Sequence, residues 1–380
     1  MWPDNRILDL FGIEVPIIQA PMAGSVLSDM IVAVSQAGGL GSLPCALLSL
    51  EHARGELETI RRKTSRPINA NFFCHQPPRD DTSREMGWRR RLEAYYIELG
   101  LDNNTAVPSS SRAPFDDKMC DHVMEFHPEV VSFHFGLPDN LLARVRRVGA
   151  KIVSSATCVD EARWLEDQGC DAIVAQGYEA GGHRGMFLTQ DVSTQVGTIA
   201  LVPQIVDAVK VPVIAAGGIA DARGIAAAFA FGASAAQIGT AYLVCPEAQI
   251  SPIYRRALQG AKDNETAVTN VFTGRPARGI VNRLLREVGP ISDVTPDFPL
   301  AAAALAPLRA KSETAGSPEF TPWWSGQAAR LSRELPAAEL TKRLAREAQF
   351  ALNHRVDGSP NVLVQAEALR VLAQAEAVRR

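Results

Sequence analysis

The stretch Pro212-Val-Ile-Ala-Ala-Gly-Gly-Ile219, followed by Asp221–Phe231 and then Ala235-Ala-Gln-Ile-Gly-Thr240, decides the fold. Its first run is apolar and does not alternate with polar residues. That is how a parallel strand buried on both faces reads. Asp221 stands where an N-cap would start a helix over Ala222–Phe231. A second short apolar run then begins. Strand, glycine pair, helix and strand make a βαβ unit, which implies a parallel sheet.

The same rhythm extends towards the N-terminus. Further apolar runs are Ile17–Met22, Leu40–Pro44, Ile68–Phe73, Val130–Phe135, Lys151–Ala156 and Ala172–Gly177. Helical patterns lie between several of them, at Asp29–Gln36, Asn140–Val148, Asp160–Asp167 and Val202–Val209, with Asp160 as a second expected N-cap. Eight strands alternating with helices over residues 10–245 predict an α/β fold, a (β/α)8 TIM barrel. A doubly wound sheet is the alternative, but no Gly-x-Gly-x-x-Gly follows the first strand.

The rhythm breaks twice. Residues 76–129 are too long for a simple connection and read as an insertion, either a lid or packing decoration. After residue 245 the pattern turns mostly helical. Residues 246–335 are expected to form a smaller, mostly helical domain over the barrel mouth. Within it, Val268–Arg278 reads as an extended segment and turn, and Ala301–Leu308 and Gln327–Leu335 as helices. Residues 336–380 read as a helical tail. Its end, 361–380, is expected to dock on a neighbouring element or on a second subunit, the latter making a homodimer.

Composition narrows the class. Of 380 residues, 46% are hydrophobic and 21% charged, which disfavours a disordered chain or a collagen. The charge of −3 gives no basic field for nucleic acid. Six cysteines at 45, 74, 120, 158, 170 and 245 include no Cys-x-x-Cys pair, and read as reduced thiols of a cytoplasmic protein. No signal-peptide core is visible at the N-terminus. Gly224–Pro246 lacks charge, but Gly232 and Gly239 mark it as a broken helix and a strand rather than a membrane span.

In such a barrel, chemistry gathers at the C-terminal ends of the strands. Gly217-Gly218 and Gly239-Thr240 end the last two strands, where bare backbone N–H groups suit a phosphate. A tight turn is the plainer reading of Gly217-Gly218 alone. Asn71 and Gln176 are amides on buried strands. They either satisfy loop backbone or bond the edge of a flat heterocycle. His134 alternates with Phe133 and Phe135, which aims it at the pocket as an acid–base group. A satisfied core histidine is the competing reading. Arg184 is expected to add local positive potential. Tyr95, Tyr96, Trp323 and Trp324 either line a cavity or fill a core. His75, His127, His134 and His183 have no metal-ligand spacing, and no Gly-x-Ser-x-Gly elbow occurs.

Five segments carry a family resemblance: Pro16-Ile-Ile-Gln-Ala-Pro-Met-Ala-Gly24, Asn69-Ala-Asn-Phe-Phe73, Ser132-Phe-His-Phe-Gly136, Gln176-Gly-Tyr-Glu-Ala-Gly-Gly-His-Arg-Gly185 and Gln237-Ile-Gly-Thr240. With the late Trp324-Ser-Gly-Gln327, they make the chain resemble the nitronate monooxygenases, once called 2-nitropropane dioxygenases. The resemblance implies an FMN barrel under a small second domain. It implies FMN contacts at Asn71, Gln176, Gly181, Gly218, Gln237, Ile238, Gly239 and Thr240, with Met22, Gly182, His183 and Gly217 as neighbours. It makes His134 the catalytic histidine. The implied reaction is oxidation of alkyl nitronates, such as propionate 3-nitronate, by O₂ to a carbonyl compound and nitrite. The implied partners are therefore a small nitronate or nitroalkane and O₂. An NAD(P)H-dependent FMN reductase of quinones or enoyl thioesters, similar to FabK, shares the Glu-Ala-Gly-Gly-His stretch and is the alternative. Some relatives carry tyrosines and a lysine where this chain has Ser317-Pro-Glu-Phe-Thr-Pro-Trp323.

Overall fold

A computed structural model describes residues 1–79, 81–102 and 112–353. Eight parallel strands form the barrel: β1 (Ile17–Gln19), β2 (Gly41–Pro44), β3 (Ile68–Phe73), β4 (Val130–His134), β5 (Lys151–Ala156), β6 (Ala172–Gln176), β8 (Val213–Ala216) and β9 (Ala235–Ile238). The short β7 (Gly182–His183) belongs to a second sheet. The barrel order is β1-β9-β8-β6-β5-β4-β3-β2, and an Ile18–Leu40 bridge joins its two ends. The fold is the expected (β/α)8 barrel.

Strand residues divide between two cores. Inside the barrel, Val130, Val153, Val174 and Ile214 pack with Ile7 and Phe11 of the helix Arg6–Phe11. That helix plugs the N-terminal end of the barrel, so the C-terminal end alone stays open. Val131, Phe133, Ile152 and Val213 face outward into the strand–helix core. Asp221 caps its helix as expected, accepting the N–H groups of Arg223 at 2.9 Å and Gly224 at 3.4 Å. Such a cap contributes about 1 kcal/mol. Asp160 is not a cap. The helix Val159–Asp167 starts from Cys158, and Asp160 lies in its first turn. The uncharged run 224–246 holds the end of one helix, β9 and a short helical turn. Among the described residues no helix is long and apolar enough to cross a membrane.

The cover over the barrel carries the helices Pro252–Gly260, Arg283–Val288 and Ala301–Thr314, as a mostly helical domain should, and adds a short sheet. β10 (Thr266–Thr269) and β11 (Ala277–Ile280) pair antiparallel, and β11 pairs with β7 of the barrel loop. Gln327–Leu335 is irregular apart from a turn at Ala329–Leu331. The inserted stretch splits between the two bodies. Its helix Thr82–Glu98 packs on Ala301–Thr314 of the cover, where Trp88 and Tyr96 donate to the carbonyls of Ala301 and Ala304 at 3.1 and 2.6 Å. Its helix Asp117–Phe126 joins the barrel shell.

The segment expected as the start of a tail instead completes that shell. Helix Ala337–Asn353 buries Leu340, Leu344 and Ala348 against Ser28–Gln36 and Ala222–Ala230. Its amphipathic face is what the barrel takes. The terminal helix expected at 361–380, and the subunit contact read into it, lie outside the described residues.

Candidate active site

The open end of the barrel is a single cavity, and strand register sets its floor. Gln176 pairs with Ala216, Ala216 with Gln237, and Gln237 with Ile18. Asn71 pairs with Ser132 across β3 and β4. Met22, Asn71, His134, Gln176, Gly181, Gly182, His183, Gly217, Gly218, Gln237, Gly239 and Thr240 all line this cavity. Ile238 does not. It is fully buried in the strand–helix core, because strand alternation turns it outward once Gln237 faces in.

One wall is bare backbone. At Gly217, φ is +113° and an added Cβ would meet the Thr198 hydroxyl oxygen at 2.9 Å. Only glycine serves there. Gly182, at φ +72°, has nothing within 4 Å of where a Cβ would project. A side chain would instead enter the cavity. Glu179, on the same wall, is turned away and engaged. Its carboxylate accepts from Thr198 N at 2.8 Å and from the Thr198 hydroxyl at 2.7 Å, at the start of the helix Thr198–Ala208. Backbone dipoles thus compensate its charge beside the glycines. The hydroxyl oxygen of Thr240 accepts from Gly326 N at 2.9 Å, tying the cover to the end of β9.

The amides divide in their roles. Gln176 donates to the His183 carbonyl at 3.0 Å and accepts from Gly185 N at 2.7 Å. It therefore fixes the 182–185 loop, the backbone role that its sequence left open. Asn71 donates to the Ser132 hydroxyl and carbonyl oxygens at 2.9 and 3.2 Å. Its Oδ1 makes no hydrogen bond to a described residue. Arg184 is fully buried and outside the cavity. It donates to the carbonyls of Gln176 and Gly177 at 2.8 and 2.9 Å and to Gln195 at 2.8 Å. Burial lowers its pKa to about 9. It clamps the end of β6 rather than projecting charge into the site.

The opposite wall holds two histidines. His134 Nε2 faces the His183 carbonyl at 3.1 Å, and Nδ1 faces the Ser155 hydroxyl at 3.1 Å. A carbonyl only accepts, so Nε2 carries the proton and Nδ1 accepts from Ser155. Both nitrogens of the expected catalytic residue are therefore occupied. His183 differs. Its Nε2 meets the Thr273 hydroxyl at 3.0 Å, and the Arg275 carbonyl lies 3.3 Å from the same hydroxyl. The ring tautomer sets which of the two donates in the His183–Thr273 bond, and among the described residues Nδ1 is the nitrogen left without a partner. Burial pushes the His134 pKa down to about 4, against its bond to the His183 carbonyl. Burial, then the Arg112 charge, holds His183 well below the usual range. Both rings are neutral near pH 7.

Phe135 departs from the expected alternation. Its φ of +73° ends the strand and swings the ring towards Phe73 and Phe298. Arg275 lies over this ring, 3.8 Å from its centroid. Trp324 lines the cavity, whereas Tyr95 and Tyr96 belong to the core of the cover. Trp323 stacks on Tyr254 at 5.7 Å. Sequence reading passed over Ser155, Arg112, Tyr254 and Thr273. Strand alternation from Val153 could have found Ser155. Nothing in the sequence brings Thr273 of the cover to His183 of the barrel. Among the described residues no three His, Cys, Asp or Glu side chains group to hold a metal ion.

Comparison with known proteins agrees with this geometry. A family model described as nitronate monooxygenase matches residues 4–347. A nitronate monooxygenase of Pseudomonas aeruginosa is 40% identical over 346 residues, which is 90% of this chain and 99% of that protein. The crystal structure of a nitroalkane oxidase from Streptomyces ansochromogenes matches with a TM-score of 0.82 at 37% identity, covering 90% of this chain and 98% of that one. FabK from Thermotoga maritima matches with a TM-score of 0.69 at 27% identity, covering 92% and 97%.

Proposed function

The chain belongs to the nitronate monooxygenase family of oxidoreductases, and from that premise we propose that it uses FMN and O₂ to convert alkyl nitronates, such as propionate 3-nitronate, to a carbonyl compound and nitrite. One observation carries the reading. A bare-backbone cradle and a neutral histidine, His183, whose Nδ1 has no hydrogen-bond partner among the described residues line one cavity.

The residues suit FMN. Gly217, Gly218, Gly239 and Thr240 would hold its phosphate, where bare backbone allows close approach. Asn71, Met22, Gly181, Gly182 and Gln237 would line its flat ring system. When bound, FMN supplies the redox centre that takes electrons from the nitronate.

The chain's own groups do the rest. His183 Nδ1 suits accepting the α-proton of a neutral nitroalkane, which extends the substrate range beyond preformed nitronates. With Thr273 accepting from Nε2, that nitrogen would be the unprotonated one. His134 holds the main chain of His183 and is a positioning residue. Arg112, which lines the same cavity, supplies positive charge for the nitro oxygens.

The test is anaerobic reduction of the flavin-loaded protein. Bleaching of the yellow absorption by propionate 3-nitronate is expected. The likeness to FabK favours the second reading, an NAD(P)H-dependent reductase of quinones or enoyl thioesters. Fast bleaching by NAD(P)H, with none by nitronate, would replace the first reading with the second. A protein that takes up no flavin would remove both.

A further inference from the structure

We propose that Ser155 is a positioning residue for proton abstraction, its hydroxyl holding the His134 ring and, through that ring, the main chain of His183. The proposal rests on the reading of His183 as proton acceptor given above.

Two consecutive buried serines of β5 grip the end of β4. The Ser154 hydroxyl lies 2.8 Å from the Gly136 carbonyl and 3.2 Å from the Phe133 carbonyl. It thus spans the bend at Phe135, where the chain leaves the strand at φ +73°. Ser155 lines the cavity and meets His134 Nδ1 at 3.1 Å. The direction of that bond is fixed. The His183 carbonyl only accepts, so the neutral His134 ring carries its hydrogen on Nε2. Nδ1 is then an acceptor and the Ser155 hydroxyl its donor.

Gly185 leaves room for this pair. A Cβ there would stand 2.8 Å from the Ser155 Cβ and 3.0 Å from His134 Cε1, so any larger residue would push the serine and the ring apart. The last glycine of Gly181-Gly-His-Arg-Gly185 therefore serves the histidine rather than the phosphate.

The His183 carbonyl accepts from His134 at 3.1 Å and from Gln176 at 3.0 Å. β4 and β6 each supply one donor to the main chain that carries the His183 ring. The β4 donor is a ring, and it keeps its angle only while Nδ1 is held. A buried acceptor left unsatisfied would favour other ring orientations. Abstraction of a proton needs His183 in place, whereas a preformed nitronate has no proton to give up. Loss of Ser155 therefore weighs more on a neutral nitroalkane than on its nitronate.

Ser155→Ala, loaded with flavin and with wild-type circular dichroism, should lower the ratio of kcat for a neutral nitroalkane to kcat for its nitronate about fivefold. Ser155→Cys, which keeps a weaker donor, should fall between alanine and wild type. The ¹⁵N resonance of His134 Nδ1 should move in the alanine variant towards that of an imidazole nitrogen with no donor, and less far in the cysteine variant. A wild-type ratio, equal loss with both substrates, or an unmoved Nδ1 resonance overturns the proposal. If the alanine variant does not fold, the cysteine variant decides by the same two readouts. If the wild-type protein turns over neither substrate, the proposed function fails instead, and the Nδ1 resonance still decides whether Ser155 holds the ring.

Discussion

His134 donates its Nε2 hydrogen to the carbonyl oxygen of His183 at 3.1 Å, so the two histidines are joined ring to main chain rather than ring to ring. This separates their roles. His134→Asn should retain flavin and lower kcat about tenfold. His183→Asn should lower it by about 10² or more, the scale of a lost acid–base group. Steady-state rates with a neutral nitroalkane measure both. A larger loss at His134 than at His183 would return the proton-accepting role to His134.

Thr273 of the cover faces His183 Nε2 at 3.0 Å, and in the proposed role it accepts that nitrogen's hydrogen. Thr273→Val removes the oxygen facing Nε2 and should lower kcat about tenfold, with flavin affinity unchanged. Thr273→Ser should restore the rate. The ¹⁵N shifts of the His183 ring would report the tautomer directly. Unchanged shifts in the valine variant would contradict the assignment.

Buried neutral histidines tie stability to pH. Their folded pKa values lie below the unfolded value of about 6.5, with His134 at about 4. In acid the unfolded chain therefore binds protons that the folded chain refuses. Stability from these rings is full above pH about 6.5 and declines as pH falls towards 4. Thermal unfolding between pH 7 and 4.5 should show a falling midpoint, with a shallower slope in His134→Asn. A flat profile would contradict the burial of these rings.

Two glycines separate folding from cofactor binding. Gly217→Ala forces a Cβ at φ +113° against the Thr198 hydroxyl and should cost about 1–3 kcal/mol of stability. At Gly239 the φ of −106° suits any residue, and an added Cβ meets Ala20 and Met22 at ordinary distances of 3.5 and 3.7 Å. Gly239→Val should keep the melting temperature and lose flavin. Denaturant unfolding and flavin titration of the pair check this. Full flavin affinity in Gly239→Val would move the phosphate away from β9.

The barrel was legible because its strands are buried on both faces and their ends carry glycine. Gly217, Gly218 and Gly239 therefore stand out in the sequence itself. The Ile238 side chain faces the strand–helix core, which a motif read without strand alternation does not reveal. The role of His134 could not be read, since the bonds to Ser155 and the His183 carbonyl depend on residues 21 and 49 positions away. Arg184 was expected to add local positive potential because a sequence does not reveal that the carbonyls of Gln176 and Gly177 converge on it. Helix Ala337–Asn353 looked like a tail because the whole cover separates it from β9, the strand it follows in the barrel.

Nitrite release with O₂ uptake, measured on the FMN-loaded protein with propionate 3-nitronate, tests the central claim most directly. The account predicts nitrite formed in proportion to nitronate consumed, with no need for NAD(P)H. Flavin-loaded protein that releases no nitrite and takes up no O₂ with this substrate would contradict it.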